Sequence, residues 1–240
     1  MKTALITGAN KGIGYETARQ LAQLGYYIYL GCRDVSLGQE AVEKLLESGL
    51  TNVETIILDL TDPLSIKESR KIIETKSNKL DVLINNAGIL GLIPQPASTY
   101  SVIEIRRVFD TNFFGTIQVT QEFIPLLKKS EAGRIVNVTS GLGSLTLHTD
   151  PNWQYFHFKS AGYSISKAAL NGFTIMLAFD LKDTNIKVNS IDPNYTATDF
   201  NNHSGERTPE QSANVIVKYA TLDADGPTGK YFNEEGELPW

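Results

Sequence analysis

Short apolar runs alternate with longer amphipathic stretches along the whole chain, and this alternation restricts the fold more than any other feature. Runs rich in Val, Ile and Leu at 3–7, 27–31, 53–58, 81–85, 134–140 and 186–191 read as strands. Stretches near 13–24, 36–48, 63–76, 101–129, 161–182 and 209–220 carry the helical period between them. A last short run, 229–232, offers an edge strand. Repeated strand–helix order predicts an α/β fold with a parallel sheet covered by helices on both faces. No linker, low-complexity tract or fixed-period repeat divides residues 1–240. A single doubly wound Rossmann domain of about seven strands is therefore expected, with a small substrate-loop region near 194–215. Such sheets take ligands beyond the carboxyl ends of their strands, where the strand order reverses.

Composition narrows the partners. The formal net charge is -5 and no Lys/Arg cluster stands out, which argues against nucleic acid or an anionic membrane. No apolar run approaches the roughly 18 residues of a membrane span, and "MKTALITGAN" lacks the apolar core of a secretory leader. The single cysteine, Cys32, forms no internal disulfide framework and no cysteine-based zinc site. His148, His157 and His203 show no metal-ligand spacing, so no metal is expected. These features together predict a cytoplasmic protein.

The first strand runs into "TGANKGIG" (7–14) and then into a helix. Glycines at 8, 12 and 14 let the backbone approach a ligand closely, and the free N–H groups of the next helix suit a pyrophosphate. The spacing is G-x-x-x-G-x-G rather than G-x-G-x-x-G, and the strand before and helix after supply the missing context. Dinucleotide folds that bind NAD place an acid after the second strand. This chain has "GCRD" there, with Arg33 able to pair with a 2′-phosphate and Lys11 able to add a second positive charge. NADP(H) is favoured over NAD(H), although Asp34 leaves a ribose-binding acid available and Arg33 could simply be solvated.

"YSISK" places Tyr163 and Lys167 one helical turn apart, on one face. A free tyrosine titrates near pH 10, and a neighbouring ammonium is expected to lower that value towards general acid–base use. An exposed Lys beside a half-buried Tyr is the alternative for such a pair taken alone.

These stretches in this order resemble the short-chain dehydrogenase/reductase family over residues 1 to about 200. "TGANKGIG" is similar to its glycine turn, "DL" (59–60) to its adenine-contacting pair, "NNAG" (85–88) to its motif after the fourth strand, and "YSISK" to its Tyr–Lys motif. Ser140 and Asn112 stand where the family keeps its other two catalytic positions. "TGANKGIG", "CRD" and the closing "LPW" look most like the NADPH-dependent carbonyl reductases. The resemblance implies hydride transfer to a ketone, aldehyde or quinone, with Tyr163 donating the proton. It further implies that Lys167 tunes Tyr163 and holds ribose hydroxyls, that Ser140 orients the substrate oxygen, and that Asn112 holds a water in a relay through Lys167. The implied cofactor contacts are Gly8, Asn10, Lys11, Gly12, Ile13, Gly14, Arg33, Asp59, Leu60, Asn86, Ala87, Gly88, Pro193, Thr196 and Thr198, besides Tyr163 and Lys167.

Two departures follow. Asn194 replaces the glycine that many members have after Pro193, and Asn tolerates left-handed backbone better than most residues. The span from Ser140 to Tyr163 is longer than usual and holds Trp153, Tyr155, Phe156 and Phe158. These side chains are expected to wall the entrance beside Tyr163, suiting bulky or aromatic carbonyl substrates, and to favour a monomer or dimer over a tetramer. The pocket is expected to be lined from 90–98, 141–162 and 194–215. Competing readings are a catalytically silent NADP(H) sensor, an NAD-dependent alcohol dehydrogenase of the same family, and a nucleotide-sugar epimerase. The last usually needs more chain after Pro193 than is present here.

Overall fold

The computed structural model describes residues 1–240. Strands β1 (Thr3–Thr7), β2 (Tyr27–Cys32), β3 (Val53–Ile57), β4 (Val82–Asn85), β5 (Arg134–Val138), β6 (Lys187–Ile191) and β7 (Lys230–Phe232) form one sheet. Every pairing is parallel, in the order β3-β2-β1-β4-β5-β6-β7. The 229–232 run is the expected edge strand. Strand order reverses between β1 and β4, which places a crevice at their carboxyl ends.

Helices α1 (Gly12–Gln23), α2 (Val35–Glu47) and α7 (Pro209–Ala220) cover one face, and α3 (Pro63–Ser77), α5 (Thr116–Leu127) and α6 (Tyr163–Asp180) the other. Side-chain alternation in β1 explains the two layers. Ala4 and Ile6 enter the core beneath α1, α2 and α7, while Leu5 enters the opposite core. Full burial of each such Leu or Ile contributes roughly 1.5–3 kcal/mol.

The stretch 101–129 is not one regular helix. It divides into α4 (Val102–Phe109), a π-helical turn at Asp110–Gly115, and α5. At Gly115 the backbone passes so close to the β3–α3 connection that a Cβ would lie 2.6 Å from the Leu60 carbonyl oxygen. Glycine permits that approach, and the widened turn carries Asn112 inward.

Buried hydrogen bonds tie α5 and α6 to the sheet. Asn85 Nδ2 donates to Thr120 Oγ1 (2.9 Å) and to Asn137 Oδ1 (2.8 Å). Asn137 Nδ2 and Ser190 Oγ both donate to Thr174 Oγ1 at 2.8 Å. These fix the height of α6 on the sheet, and with it the position of Tyr163.

Candidate active site

The glycine turn lies at the β1/β4 switch point. Gly8 and Gly12 have φ of 63° and 57°, the left-handed region that favours glycine. A Cβ on Gly14 would lie 2.5 Å from Asn86 Nδ2 and 2.6 Å from the Gly8 carbonyl oxygen. Asn86 holds the turn by donating to the carbonyls of Thr7 (2.9 Å) and Gly8 (3.1 Å), while Thr7 Oγ1 accepts the N–H groups of Asn86 and Ala87. Asp34, Asp62 and Thr208 cap α2, α3 and α7, whereas Lys11 gives α1 no side-chain cap. The first N–H groups of α1 therefore face the crevice without a side-chain acceptor. Asn10 and Ile13 are half-buried in this turn, and Ile13 packs on the core.

The polar residues expected around the cofactor are used in different ways. Arg33 is exposed just past β2 and pairs with no acid, while Asp34 accepts the Leu37 N–H at 3.0 Å as the α2 cap. The ammonium of Lys11, expected to support a 2′-phosphate, bonds Asp199 Oδ2 at 2.8 Å. Thr198 Cγ2 comes within 3.4 Å of a Cβ built on Gly12, so the segment after β6 crosses the glycine turn. Asp59 accepts the N–H and hydroxyl of Thr61, and the Leu60 side chain is buried in the core. Gly88 lies beside Asn112 and Lys167: a Cβ there would be 3.2 Å from Asn112 Oδ1 and 3.5 Å from Lys167 Nζ. Pro193 is buried, and Asn194 adopts φ of 61°, the left-handed turn that sequence predicts for it. The Thr196 hydroxyl is 2.6 Å from Ser212 Oγ, which ties the loop to α7.

Tyr163, Ser166 and Lys167 begin the buried stripe of α6, which continues through Leu170, Asn171 and Thr174. Burial pushes the Tyr163 phenol well above its ordinary range; hydrogen bonding to Ser140 opposes this and the Asp192 carboxylate reinforces it. Lys167 is brought down to about 8 by burial, its Nζ donating to the Val138 carbonyl (2.8 Å) and standing 5.8 Å from the Tyr163 ring centroid. The expectation that Lys167 lowers the tyrosine pKa is thus corrected. Removal from water outweighs the ammonium one turn away. Asn112 is fully buried; its side chain accepts the Ile89 N–H (2.8 Å) and donates to the Ile89 carbonyl and Ser166 Oγ.

Three supports for this cluster escape sequence reading. Gln95 Oε1 accepts the N–H groups of Gly162 (2.9 Å) and Tyr163 (3.0 Å), capping α6 from the far side of the crevice. Tyr231, in β7, donates to the Ser140 carbonyl and stacks on Trp240. Asp192 lies buried just past β6, against the loop that begins at Ser140. Apart from "LPW", which contains Trp240, no local pattern marks these positions, because each acts on a partner far away in the chain. In the insertion, Trp153 and Tyr155 pack edge-on and Tyr155 meets Tyr195, while Phe200 leans on Tyr163. Phe158 departs from the expected wall and is exposed.

A family model described as short chain dehydrogenase matches residues 2–209. The (+)-neomenthol dehydrogenase of Capsicum annuum is 32% identical, with 95% of this chain and 94% of the relative covered. Salutaridine reductase of Papaver bracteatum is 31% identical, with 97% and 94% covered. Among solved structures, an NADPH-bound carbonyl reductase from chicken fatty liver superposes with a TM-score of 0.87 at 27% identity, covering 100% of this chain and 99% of that one. The matched span contains the glycine turn, the buried Tyr163–Lys167 stripe and the turn after β6, and the chain belongs to the short-chain dehydrogenase family of oxidoreductases.

Proposed function

We propose that this chain is an NADP(H)-dependent reductase that converts ketones, aldehydes or quinones into alcohols. The observation that carries this reading is the meeting of Tyr163, Ser140 and Lys167 at the carboxyl edge of the sheet, beside a glycine cradle that a Cβ would fill. The residues fit a dinucleotide. The α1 N-terminus and Gly8–Gly14 would hold its pyrophosphate, Arg33 a 2′-phosphate, and Lys167 the nicotinamide ribose. When bound, the nicotinamide supplies the hydride.

Ser140 fixes the carbonyl oxygen by hydrogen bonding, close to the Tyr163 hydroxyl. Tyr163 then gives its proton to that oxygen as negative charge develops there. A raised phenol pKa suits this direction, since a forming alkoxide is far more basic than a phenolate, and burial keeps the donor protonated. The Lys167 ammonium, held at the Val138 carbonyl, stabilises the phenolate left behind. Asn112 anchors the Ile89 backbone and the Ser166 hydroxyl beneath it, where a water-filled relay would pass.

The partner is thus a small carbonyl compound; no helix is long and apolar enough to cross a membrane. We also infer a monomer or dimer, because the 141–162 segment packs beside the start of α6. A panel of aldehydes, ketones and quinones, followed by loss of NADPH absorbance, tests the reading. At least one member is expected to be reduced, and Tyr163→Phe to lose roughly 10²–10⁴-fold in kcat while binding NADPH as before. Near-normal turnover in that variant would overturn the mechanism.

A further inference from the structure

Asp192 has no role in the chemistry just described, yet it is 9% exposed and lies among its residues. Its Oδ1 accepts the Asn194 N–H at 2.9 Å, and the Gly141 backbone also favours its charged form. A carboxylate has about four acceptor positions, so these bonds leave acceptor capacity unused. No Lys, Arg or His comes within 4.0 Å of it. An ionised side chain buried without a counter-charge is costly, and a neutral residue could form the same turn more cheaply.

No cation sits directly on the carboxylate. At Gly141 a Cβ would lie 2.9 Å from Asp192 Oδ2 and 3.6 Å from Trp153 Cζ2, so carboxylate and indole close on one backbone position that a side chain would crowd. Trp153 and Tyr155 stand edge-on at 5.5 Å, and Tyr155 and Tyr195 at 6.0 Å, so three aromatic rings are grouped beside it. The field of Asp192 raises the phenol pKa of Tyr155, Tyr163 and Tyr231, which locates the charge between the aromatic wall and the proton donor. Burial raises Asp192 itself to about 6, so it is largely ionised at neutral pH.

The neighbouring charges do not neutralise it. Arg207 favours the charged form of Asp192 from a distance but is itself paired with Glu234, while Glu235 and Glu206 add negative potential to Asp192 and Tyr155 respectively. His148, edge-on to Trp153, is held towards its neutral form by burial. Lys159, on the outer edge, bonds the His148 carbonyl and lies over Phe156.

We propose that Asp192, with Trp153, Tyr155 and Tyr195, recognises a positively charged nitrogen, and that the carbonyl substrates of this chain are aminoketones or aminoaldehydes carrying that charge. Ring faces attract ammonium groups and the carboxylate supplies the counter-charge, while the carbonyl lies a few ångströms away at Tyr163. The substrate class rests on the reductase reading above; the cation site does not.

The N,N-dimethyl-4-piperidinonium ion and 4,4-dimethylcyclohexanone share a shape and differ by a fixed charge. Calorimetry gives the Kd of each for the intact chain, and NADPH consumption gives kcat/KM. The wild type is expected to bind the cation at least about tenfold more tightly. Asp192→Asn should bring the ratio of the two Kd values close to one, and Trp153→Leu should reduce it. Equal affinities in the wild type, or a preference that survives Asp192→Asn, would overturn the proposal. The wild-type ratio is decisive even if the Asn variant does not fold. A preference lost in Asp192→Asn while neither ketone is reduced supports the cation site and removes the reductase reading instead.

Discussion

At residues 7–14 the backbone itself forms the site; at 141–162 and 192–200 side chains do. The glycine turn works through left-handed φ values and the absence of Cβ atoms, so its residue types follow from its conformation. The facing wall is built from Trp153, Tyr155, Asp192 and Tyr195, each on a backbone that many residues could adopt. The proposed pyrophosphate site is thus dictated by backbone geometry. A substrate site can change one side chain at a time while the fold stays as it is.

Substitutions at four positions would break or sharpen that contrast. Gly14→Ala should have the largest effect, because a Cβ 2.6 Å from the Gly8 carbonyl oxygen cannot be relieved by rotating a side chain. A loss of about 3 kcal/mol in stability is expected, read as a fall in melting temperature, together with loss of NADPH binding by calorimetry. A variant with wild-type stability and affinity would show that the turn is not rigid. Arg33→Ser should then cost roughly 1.5–3 kcal/mol in NADPH binding and leave NADH nearly unchanged; parallel losses for both cofactors would contradict the 2′-phosphate role.

Gln95→Leu removes a shared acceptor and leaves the Gly162 and Tyr163 N–H groups buried without a partner. A penalty of about 1–3 kcal/mol is expected, partly as lower kcat at unchanged KM for NADPH. Gln95→Glu keeps the acceptor at a helix N-terminus but loses the amide donation to the Leu90 carbonyl (2.7 Å), so only part of the rate should return. A variant Gln95→Leu with wild-type stability and kcat would make Gln95 a packing residue only. Phe158→Ser should change melting temperature and kcat least, within about 0.5 kcal/mol, because its ring is exposed. A large loss there would mean that the insertion is as constrained as the glycine turn.

The strand and helix positions were legible because they depend on apolar periodicity over short windows. β1 shows this well: Ala4, Leu5 and Ile6 alternate between two cores as the period-two pattern requires. The left-handed turn at Asn194 could also be read, since it depends on one residue's own conformational freedom. Contacts across the chain left no such trace. Asp199, which takes the Lys11 ammonium, and Gln95, which caps α6, are ordinary residues in sequence and act only through folding. Spacing places Lys167 beside Tyr163 but says nothing of how far both are withdrawn from water, and that depth reverses the expected shift of the phenol.

The bond from Tyr231 to the Ser140 carbonyl joins residues 91 positions apart, and this imposes an order in time. A ribosome adding about 5–20 residues per second delivers Tyr231 roughly 5–20 s after Ser140. Through that interval β1 to β5 can pair, yet the loop at Ser140 lacks its brace and β6 its outer neighbour. The brace on the Ser140 loop therefore arrives as a late step of synthesis, after most of the strands have been made. A nascent chain stalled short of β7 would hold the glycine turn and six of the seven strands with an unbraced Ser140 loop.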